Sequence, residues 1–215
     1  QPCLPAAIRR AAEAEAEPTQ FVGYDCLETT SKVVSLSDGE SLQDAIATDD
    51  GEKEGVLVVL HRTPFYAESG GQVADTGVLT GENGAKVLVQ AVKKAPKGYF
   101  VHSFTLQEGT IKQGETVTAS VDKLRRAAIA RNHTSAHLLQ KALRDVLGSH
   151  VHQAGSYEDD ERVRFDFTHF SAVTAEELAT VEKIVNEKIF EALDVTVQNL
   201  PISEAKKMGA MALFG

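Results

Sequence analysis

The segment DKLRRAAIARNHTSAHLLQKALRDVLG, residues 122–148, separates two differently patterned halves of the chain. Asp122 is a favourable helix N-cap and Gly148 a favourable residue just past a helix end. We therefore predict one uninterrupted helix between them, the longest element of the chain. Small and apolar residues at helical spacing predict the face that packs on a sheet. We place on that face Leu124, Ala128, Ser135, Leu139, Ala142 and Val146.

Before this helix, short β-branched runs bounded by turn residues predict strands. There are six of them: FVGYD, SKVVSLS, GVLVVLHRT, AKVLVQAV, GYFVHSFTL and ETVTASV. Six short strands at this spacing are typical of a small antiparallel β-barrel or sandwich. We assign residues 21–121 to a β-barrel that carries a glycine-rich loop. Residues 1–20 are predicted to be a linker, helical over residues 5–17 and stopped before Pro18.

After the helix, the pattern predicts strands and helices in alternation. SHVHQAGS and RVRFDFTHF are strand-like, and a second helix is predicted from Thr174, whose Glu177 completes a capping box, to about Leu193. VTVQNLP is predicted as another strand and ISEAKKMGAMALFG as the start of a third helix. Residues 122–215 would then form an α/β core with helices packed on an antiparallel sheet, and the whole chain would be α+β.

The composition is that of an ordinary globular protein, with 215 residues, 42% hydrophobic and 25% charged. No apolar run approaches the roughly 18 residues that a membrane span needs. Two cysteines are too few for a disulfide scaffold and favour a reducing, cytoplasmic setting. A net charge of −9 argues against binding nucleic acid by overall charge. The chain opens without Met or a signal sequence, so we expect it to be an internal piece of a longer protein.

His133 and His137 lie four residues apart in the predicted helix, about 40° apart around its axis. We place them away from the apolar face, where they would face solvent or a cleft alongside Arg126, Gln140 and Arg144. The pair has two interpretations: an exposed polar face, which is the more frequent case, or a metal clip, since residues one turn apart can direct nitrogens at one ion. A zinc protease of the His-Glu-x-x-His type is disfavoured because Thr134 occupies the position of the glutamate.

The loop TPFYAESGGQVADTG, residues 63–77, follows a predicted strand. Gly70 and Gly71 permit positive φ angles and close backbone approach. The loop is either a tight barrel turn or part of a site, and its polar residues around two glycines favour the second interpretation. Farther along, HVHQAGS places His150 and His152 on one strand face, with Gln153 next to them.

Together, TPFYAESGGQVADTG, RNHTSAHLLQKALRDVLGSHVHQAGS, RFDFTHFSAVTAEEL and KKMGAMALFG resemble the editing domain of bacterial alanyl-tRNA synthetases in order and spacing. The resemblance covers nearly the whole chain. It implies a β-barrel joined to an α/β core of the kind found in threonyl-tRNA synthetase editing domains and in freestanding editing proteins. It also implies hydrolysis of the ester in tRNA(Ala) mischarged with serine or glycine. The parent enzyme would ligate alanine to tRNA(Ala) with ATP.

The resemblance further implies a Zn²⁺ cofactor. His133 and His137 correspond to two of its four ligands, and the other two, a Cys-x-x-x-His motif, are expected beyond Gly215. Cys3 and Cys26 are not expected to replace them. Ala136 stands where the family commonly has threonine.

The remaining site residues follow from the same resemblance and from the chemistry of an ester. Gln153 corresponds to a pocket glutamine tied to editing, and we assign it the catalytic role. Gly70 and Gly71 could bring backbone amides to the ester or the terminal adenosine, and Gln72 is assigned to the same substrate-binding loop. Arg131 is the last of four basic residues in nine, and this cluster is either a footprint for the tRNA acceptor end or a solvated helix face.

An editing activity has a physical rationale, because a site that selects alanine rejects serine only about 10²-fold. A second site must then remove the errors. The expected partners are the acceptor end of mischarged tRNA(Ala) and the rest of the synthetase in the same chain, with no membrane. Two alternatives remain open: a catalytically incomplete piece that serves as a tRNA or protein docking module, and a freestanding aminoacyl-tRNA deacylase.

Overall fold

A computed structural model describes residues 17–49 and 51–210. The helix predicted over residues 5–17 and the MALFG end of the chain lie outside the described residues, apart from Glu17. The chain divides into two compact units, residues 1–129 and 130–215, which we call the barrel unit and the second unit. The boundary between them falls within the long helix.

The described residues of the barrel unit form ten strands. They are β1 (Gln20–Phe21), β2 (Glu28–Ser37), β3 (Ala45–Ala47), β4 (Lys53–Leu60), β5 (Arg62–Thr63), β6 (Gly77–Gly81), β7 (Lys86–Lys94), β8 (Phe100–Glu108), β9 (Thr110–Lys112) and β10 (Thr116–Val121). Six of these strands close into a barrel in the order β10-β2-β4-β8-β7-β6, with every pair antiparallel. The predicted antiparallel barrel is thereby confirmed.

The barrel interior is filled by alternate residues of its strands. In β10, for example, Val117, Ala119 and Val121 are buried while the residues between them are partly exposed. This period of two is what directs one face of each strand inward. Phe65, from the loop before β6, is fully buried in the same core, so the glycine-bearing loop is tied to the barrel by packing.

The six barrel strands are not the six that were predicted. The run FVGYD contributes only the short β1, which pairs in parallel with β5 outside the barrel. The sixth barrel strand is instead β6, which the sequence did not reveal because GVLTG is short and bracketed by glycines. Gly77 opens this strand, and a Cβ there would collide with the Ser120 carbonyl oxygen. The close approach of β6 to β10 therefore requires glycine at that position.

The long helix α1 (Lys123–Leu147) has nearly the predicted bounds. The Asp122 side chain caps it by accepting hydrogen bonds from the backbone N–H groups of Leu124 and Arg125, at 3.1 and 3.0 Å. Such a cap satisfies donors that have no partner within the helix. The Asp122 N-cap prediction is confirmed.

The second unit continues with β11 (Gln153–Glu158), β12 (Val163–Phe167), α2 (Ala175–Phe190) and α3 (Ile202–Lys207). The strands β11 and β12 form an antiparallel hairpin. The capping box of Thr174 and Glu177 is present at the start of α2. Buried residues from α1, α2 and the segment between α1 and β11 form one cluster, against which β12 packs: Ala142, Leu143, Val151 and Val181, with Phe165 and Phe167. Helices thus pack on an antiparallel sheet, as predicted.

The predicted apolar face of α1 is partly wrong. Leu139, Ala142 and Val146 do belong to the core, but Leu124 is 85% exposed. The buried residues of α1 also include Ile129, Ala136, Leu143 and Gln140, and Gln140 was expected to face solvent. Hydrophobicity alone misplaced this face. Gln140 is buried on it although neither side-chain amide atom has a hydrogen-bond partner among the described residues, an arrangement that costs free energy.

Two predicted strands need correction. Residues 195–201, VTVQNLP, form no strand, and Val195 and Val197 are exposed. The strand predicted from SHVHQAGS begins only at Gln153, so His150 and His152 do not share a strand face. His150 instead contacts a histidine after β12, with its Nε2 atom 2.8 Å from Nδ1 of His169.

Candidate functional site

The helix α1 brings two of its own residues, His133 and His137, into contact. The Nε2 atoms of His133 and His137 are 3.2 Å apart, and their ring centroids are 5.1 Å apart. His133 is half-buried and His137 is exposed. His133 lies near buried Gln140 and Ala136 around the helix axis, so it borders the packed face, contrary to the expectation that both histidines lie away from it.

Behind His133 lies a buried carboxylate that the sequence interpretation missed. Glu158, the last residue of β11, is only 1% exposed, and its Oε2 atom is 3.8 Å from Nδ1 of His133. Burial lowers the pKa of His133 below its ordinary value, the Glu158 carboxylate acts in the opposite direction, and His137 lowers it further. The net lowering favours a neutral imidazole, which is the form that binds metals.

The two histidines fit as part of a zinc site. Two nitrogens bound to tetrahedral zinc at about 2.0–2.1 Å lie about 3.3 Å apart, close to the 3.2 Å between these Nε2 atoms. A carboxylate behind the other ring nitrogen is the usual arrangement around a metal-bound histidine. Within residues 17–49 and 51–210, however, no group of three or more His, Cys, Asp or Glu is placed to hold a metal ion. Of a four-ligand zinc site, the described residues would supply only the two histidines.

The other proposed residues of the second unit are Gln153 on β11 and Arg131 on α1. Gln153 opens β11 opposite Phe167 and is half-buried, at a bulge between Gln153 and Gly155. Glu158 closes the same strand. Arg131 is exposed on α1, two residues before His133. The structure thus joins His133 to His137 directly, and it places Gln153 and Glu158 at the two ends of one strand.

The glycine loop belongs to the barrel unit, where it forms a tight turn. The backbones of Ser69 and Gln72 exchange two hydrogen bonds of 3.2 and 3.1 Å around Gly70 and Gly71. Both glycines have positive φ angles, 62° and 87°, as two-residue hairpin turns require. A Cβ on Gly70 would meet no atom within 4 Å, so one side of the turn is open to an approaching molecule. The turn geometry accounts for both glycines and is compatible with a binding role.

A buried ion pair holds this loop in place, and it was not predicted from the sequence. The Nε atom of Arg126 donates to both carboxylate oxygens of Asp75, at 2.8 and 2.9 Å, and its Nη2 atom contacts the same group. The guanidinium also donates to the carbonyl oxygens of Gly23 and Pro64, each at 2.9 Å. Asp75 accepts from the backbone N–H of Tyr66 at 2.7 Å. Arg126 therefore anchors the loop and was wrongly expected to face solvent or a cleft.

The four basic residues in the first part of α1, Lys123, Arg125, Arg126 and Arg131, fall into two groups. Arg126 is held by Asp75, and Arg125 donates to the carbonyl oxygen of Ala74 at 2.8 Å. Lys123 and Arg131 remain exposed. Of the four basic residues, these two are the candidates for contact with a phosphate backbone.

Comparison with known proteins defines the class. The family model for tRNA synthetases class II (A) matches residues 5–125, more than half of the chain, and the chain belongs to that family. It is 52% identical over 198 residues to the alanine–tRNA ligase of Acetivibrio thermocellus, covering 92% of this chain and 22% of that protein. The corresponding values are 51% over 196 residues for Bacillus velezensis, covering 91% and 22%, and 47% over 199 residues for Listeria monocytogenes, covering 93% and 22%.

These relatives confirm the resemblance to bacterial alanyl-tRNA synthetases, and the chain spans about a fifth of their length. No helix in the described part of the chain combines the length and apolar character that a membrane crossing requires.

Proposed function

We propose that this chain is the editing region of an alanyl-tRNA synthetase and hydrolyses the ester bond of tRNA(Ala) charged with serine or glycine. The observation that carries the proposal is the pair of imidazole nitrogens 3.2 Å apart on α1, backed by the buried carboxylate of Glu158. The similarity to alanine–tRNA ligases over 92% of the chain supports the identity of the tRNA. Ligation of alanine with ATP is proposed for the longer protein.

The reaction needs little covalent chemistry from the protein. The substrate is already an activated ester, so hydrolysis requires a positioned water, a group that fixes the substrate and donors for the developing oxyanion. His133 and His137 would hold a Zn²⁺ ion, which when bound supplies positive charge that can polarise a water or hold the substrate amine. We assign hydrogen bonding of the substrate hydroxyl or the water to the Gln153 amide.

Recognition of the tRNA is assigned to exposed groups. Arg131 offers a free positive charge on α1, whereas Arg126 is occupied by Asp75. In the barrel unit, the open side of the turn at Gly70 and Gly71, followed by Gln72, is proposed to meet the ester or the terminal adenosine. These contacts supply the binding energy that orients the ester.

The test is release of serine from Ser-tRNA(Ala). His137→Ala should slow hydrolysis by roughly 10²-fold or more, the scale of removing one essential electrostatic group. Because His137 is exposed and alanine favours helix, the protein should remain folded. Gln153→Leu should slow the reaction to a similar degree. Thr134→Ala, exposed on the same helix between the two histidines, is the matched control and should hydrolyse at the unchanged rate.

The same assay separates the alternatives. A chain that binds Ser-tRNA(Ala) without hydrolysing it would be a docking module. Equal hydrolysis of every mischarged tRNA would instead indicate a general deacylase. Hydrolysis that is unaffected by His137→Ala and by Gln153→Leu would remove both residues from the site.

A further inference from the structure

Four buried side-chain polar atoms of the second unit have no hydrogen-bond partner among the described residues: Oε1 and Nε2 of Gln140, Oε2 of Glu158 and Nδ1 of His133. The last two face each other, and the Glu158 side chain is 2% exposed. Burying a carboxylate without partners is costly, so such an atom calls for an explanation. The 3.8 Å between the Glu158 and His133 atoms exceeds the N–H···O hydrogen-bond range by about 0.6 Å, so a shift of that size would bring them within it.

Neighbouring residues hold this pair in register. The Asn132 side-chain amide donates to the backbone oxygen of Asp159 at 2.7 Å. Asn132 precedes His133, and Asp159 follows Glu158. This bond therefore ties α1 to the end of β11 beside the facing atoms, so their proximity is fixed by the fold as well as by side-chain rotation.

We propose that Glu158 is a positioning residue that accepts the Nδ1–H of His133 and thereby keeps the Nε2 lone pair of His133 directed at His137. A neutral imidazole carries one N–H, so a proton held on Nδ1 leaves Nε2 as the acceptor or ligand atom. In the metal-free chain, His137 must then donate its Nε2–H across the 3.2 Å contact. The carboxylate thus selects the tautomer of His133 that can bind a metal.

This inference rests on the proposed function only for the identity of the metal. Glu158 does not touch the substrate or the reacting water; it acts through His133. The tautomer it selects can be measured without metal, tRNA or activity. A failure of the hydrolysis assay would therefore leave the positioning role standing, and a failure of the tautomer measurement would leave the editing proposal standing.

The experiment is nitrogen-15 NMR of the histidine-labelled, metal-free chain at neutral pH. We expect His133 as the Nδ1–H tautomer and His137 as the Nε2–H tautomer. Glu158→Leu should release His133 from the Nδ1–H form. Glu158→Asp should retain part of it, because its carboxylate still only accepts but stands one methylene farther from the ring. Glu161→Gln, in the exposed turn of the same hairpin, is the control and should leave both tautomers unchanged.

Zinc titration of the same substitutions in the longer protein proposed above, which is expected to supply the other two ligands, gives the second measurement. Glu158→Leu should bind Zn²⁺ about 10- to 100-fold more weakly than the unsubstituted longer protein, the usual effect of removing a residue that orients a ligand. Glu158→Asp should lose less affinity, and Glu161→Gln none. If Glu158→Leu fails to fold, the unsubstituted chain and Glu158→Asp still decide the matter. An Nε2–H or doubly protonated His133 in the unsubstituted chain overturns the proposal, as does unchanged zinc affinity in folded Glu158→Leu.

Discussion

The barrel unit and the second unit differ in how they pair the ring nitrogens of a histidine. In the barrel, fully buried His102 has both ring nitrogens paired, Nδ1 with the Val58 carbonyl oxygen at 3.1 Å and Nε2 with the Thr63 hydroxyl at 2.8 Å. In the second unit, Nδ1 of His133 faces a carboxylate that it does not reach. The first arrangement satisfies both ring nitrogens of His102 and stabilises the barrel. The second leaves His133 able to bind a further partner.

The two units also differ in how much apolar side-chain surface they bury. The barrel encloses nearly all of the fully buried large side chains, among them Phe65, Phe104 and Leu79. The second unit has a small buried cluster, and several large apolar residues of α2 and the segment after it are exposed, including Phe190 and Val197. We infer that most of the folding free energy of the chain resides in the barrel unit, since it scales with buried apolar area.

The largest expected effect tests whether the barrel depends on its buried ion pair. Asp75→Ala should lower the free energy of unfolding by about 3–5 kcal/mol, because it leaves Arg126 buried without its charge partner. Side-chain exposures of 1% for Asp75 and 14% for Arg126 mean that water cannot replace the lost contact. Urea unfolding measures the change.

Two further variants sharpen this result. Asp75→Leu combined with Arg126→Met should regain only part of the lost stability. Apolar residues need no charge partner, but they leave the Tyr66 N–H and the Gly23 and Pro64 carbonyl oxygens without their hydrogen bonds to these side chains. Lys141→Ala removes an ion pair with Asp145 that is largely exposed, and should change stability by less than about 1 kcal/mol. Equal losses for Asp75→Ala and Lys141→Ala would contradict the assignment of Arg126 as the anchor of the loop.

The features that could be predicted from the sequence are those set by residues close together in the chain. The Asp122 cap, the Thr174 capping box and the bounds of α1 follow from residues three or four positions apart, and they were predicted. The partnership of Arg126 with Asp75 joins residues 51 positions apart, and no local pattern encodes it. The same holds for His133 and Glu158.

The misplaced face of α1 has the same origin. Local hydrophobicity favoured burial of Leu124 and exposure of Gln140, and the structure shows the reverse. The sixth barrel strand was missed because its pairing with β10 and β7 is what makes GVLTG a strand. Of the site, the contact of His133 with His137 was predictable from their spacing, whereas the carboxylate behind them was not.

A smaller effect concerns the pH dependence of the barrel. Burial lowers the pKa of His102 from 6.5 to about 4, only partly opposed by its hydrogen bond to Val58. Above pH 6.5 the histidine is neutral in both states, and its contribution to stability is complete. As the pH falls from 6.5 to 4, the unfolded chain takes up a proton that the folded chain does not, so about 3 kcal/mol of stability is lost. Below pH 4 the loss levels off.

Unfolding in urea at a series of pH values measures this loss. His102→Gln should flatten the slope between pH 4 and 6.5, whatever it does to stability at neutral pH. His61→Gln, at an exposed position of the same unit, should keep the slope. A slope that is the same with and without His102 would show that other groups, rather than this buried histidine, set the acid sensitivity of the barrel.

The smallest effect lies in the second unit, at the start of α2. The Thr174 hydroxyl accepts a hydrogen bond from the Glu177 backbone N–H at 3.2 Å, and the Glu177 carboxylate accepts one from the Thr174 backbone at 2.8 Å. Thr174→Ala removes half of this capping box and should cost about 1 kcal/mol. Thr180→Ala, within the same helix, is the control: its exposed hydroxyl bonds only the Glu176 carbonyl oxygen, and alanine is the better helix former.

Amide hydrogen exchange shows which unit loses stability in Thr174→Ala. In Thr174→Ala, protection should fall for the amides of α2 while the barrel strands β8 and β10 keep theirs, because local opening draws on the least stable part of a protein. In Thr180→Ala, protection of α2 should be unchanged or slightly higher. If Thr174→Ala lowers protection equally in α2 and in the barrel strands, the two units open as one cooperative body. Our inference that the barrel unit is more stable than the second unit would then be wrong.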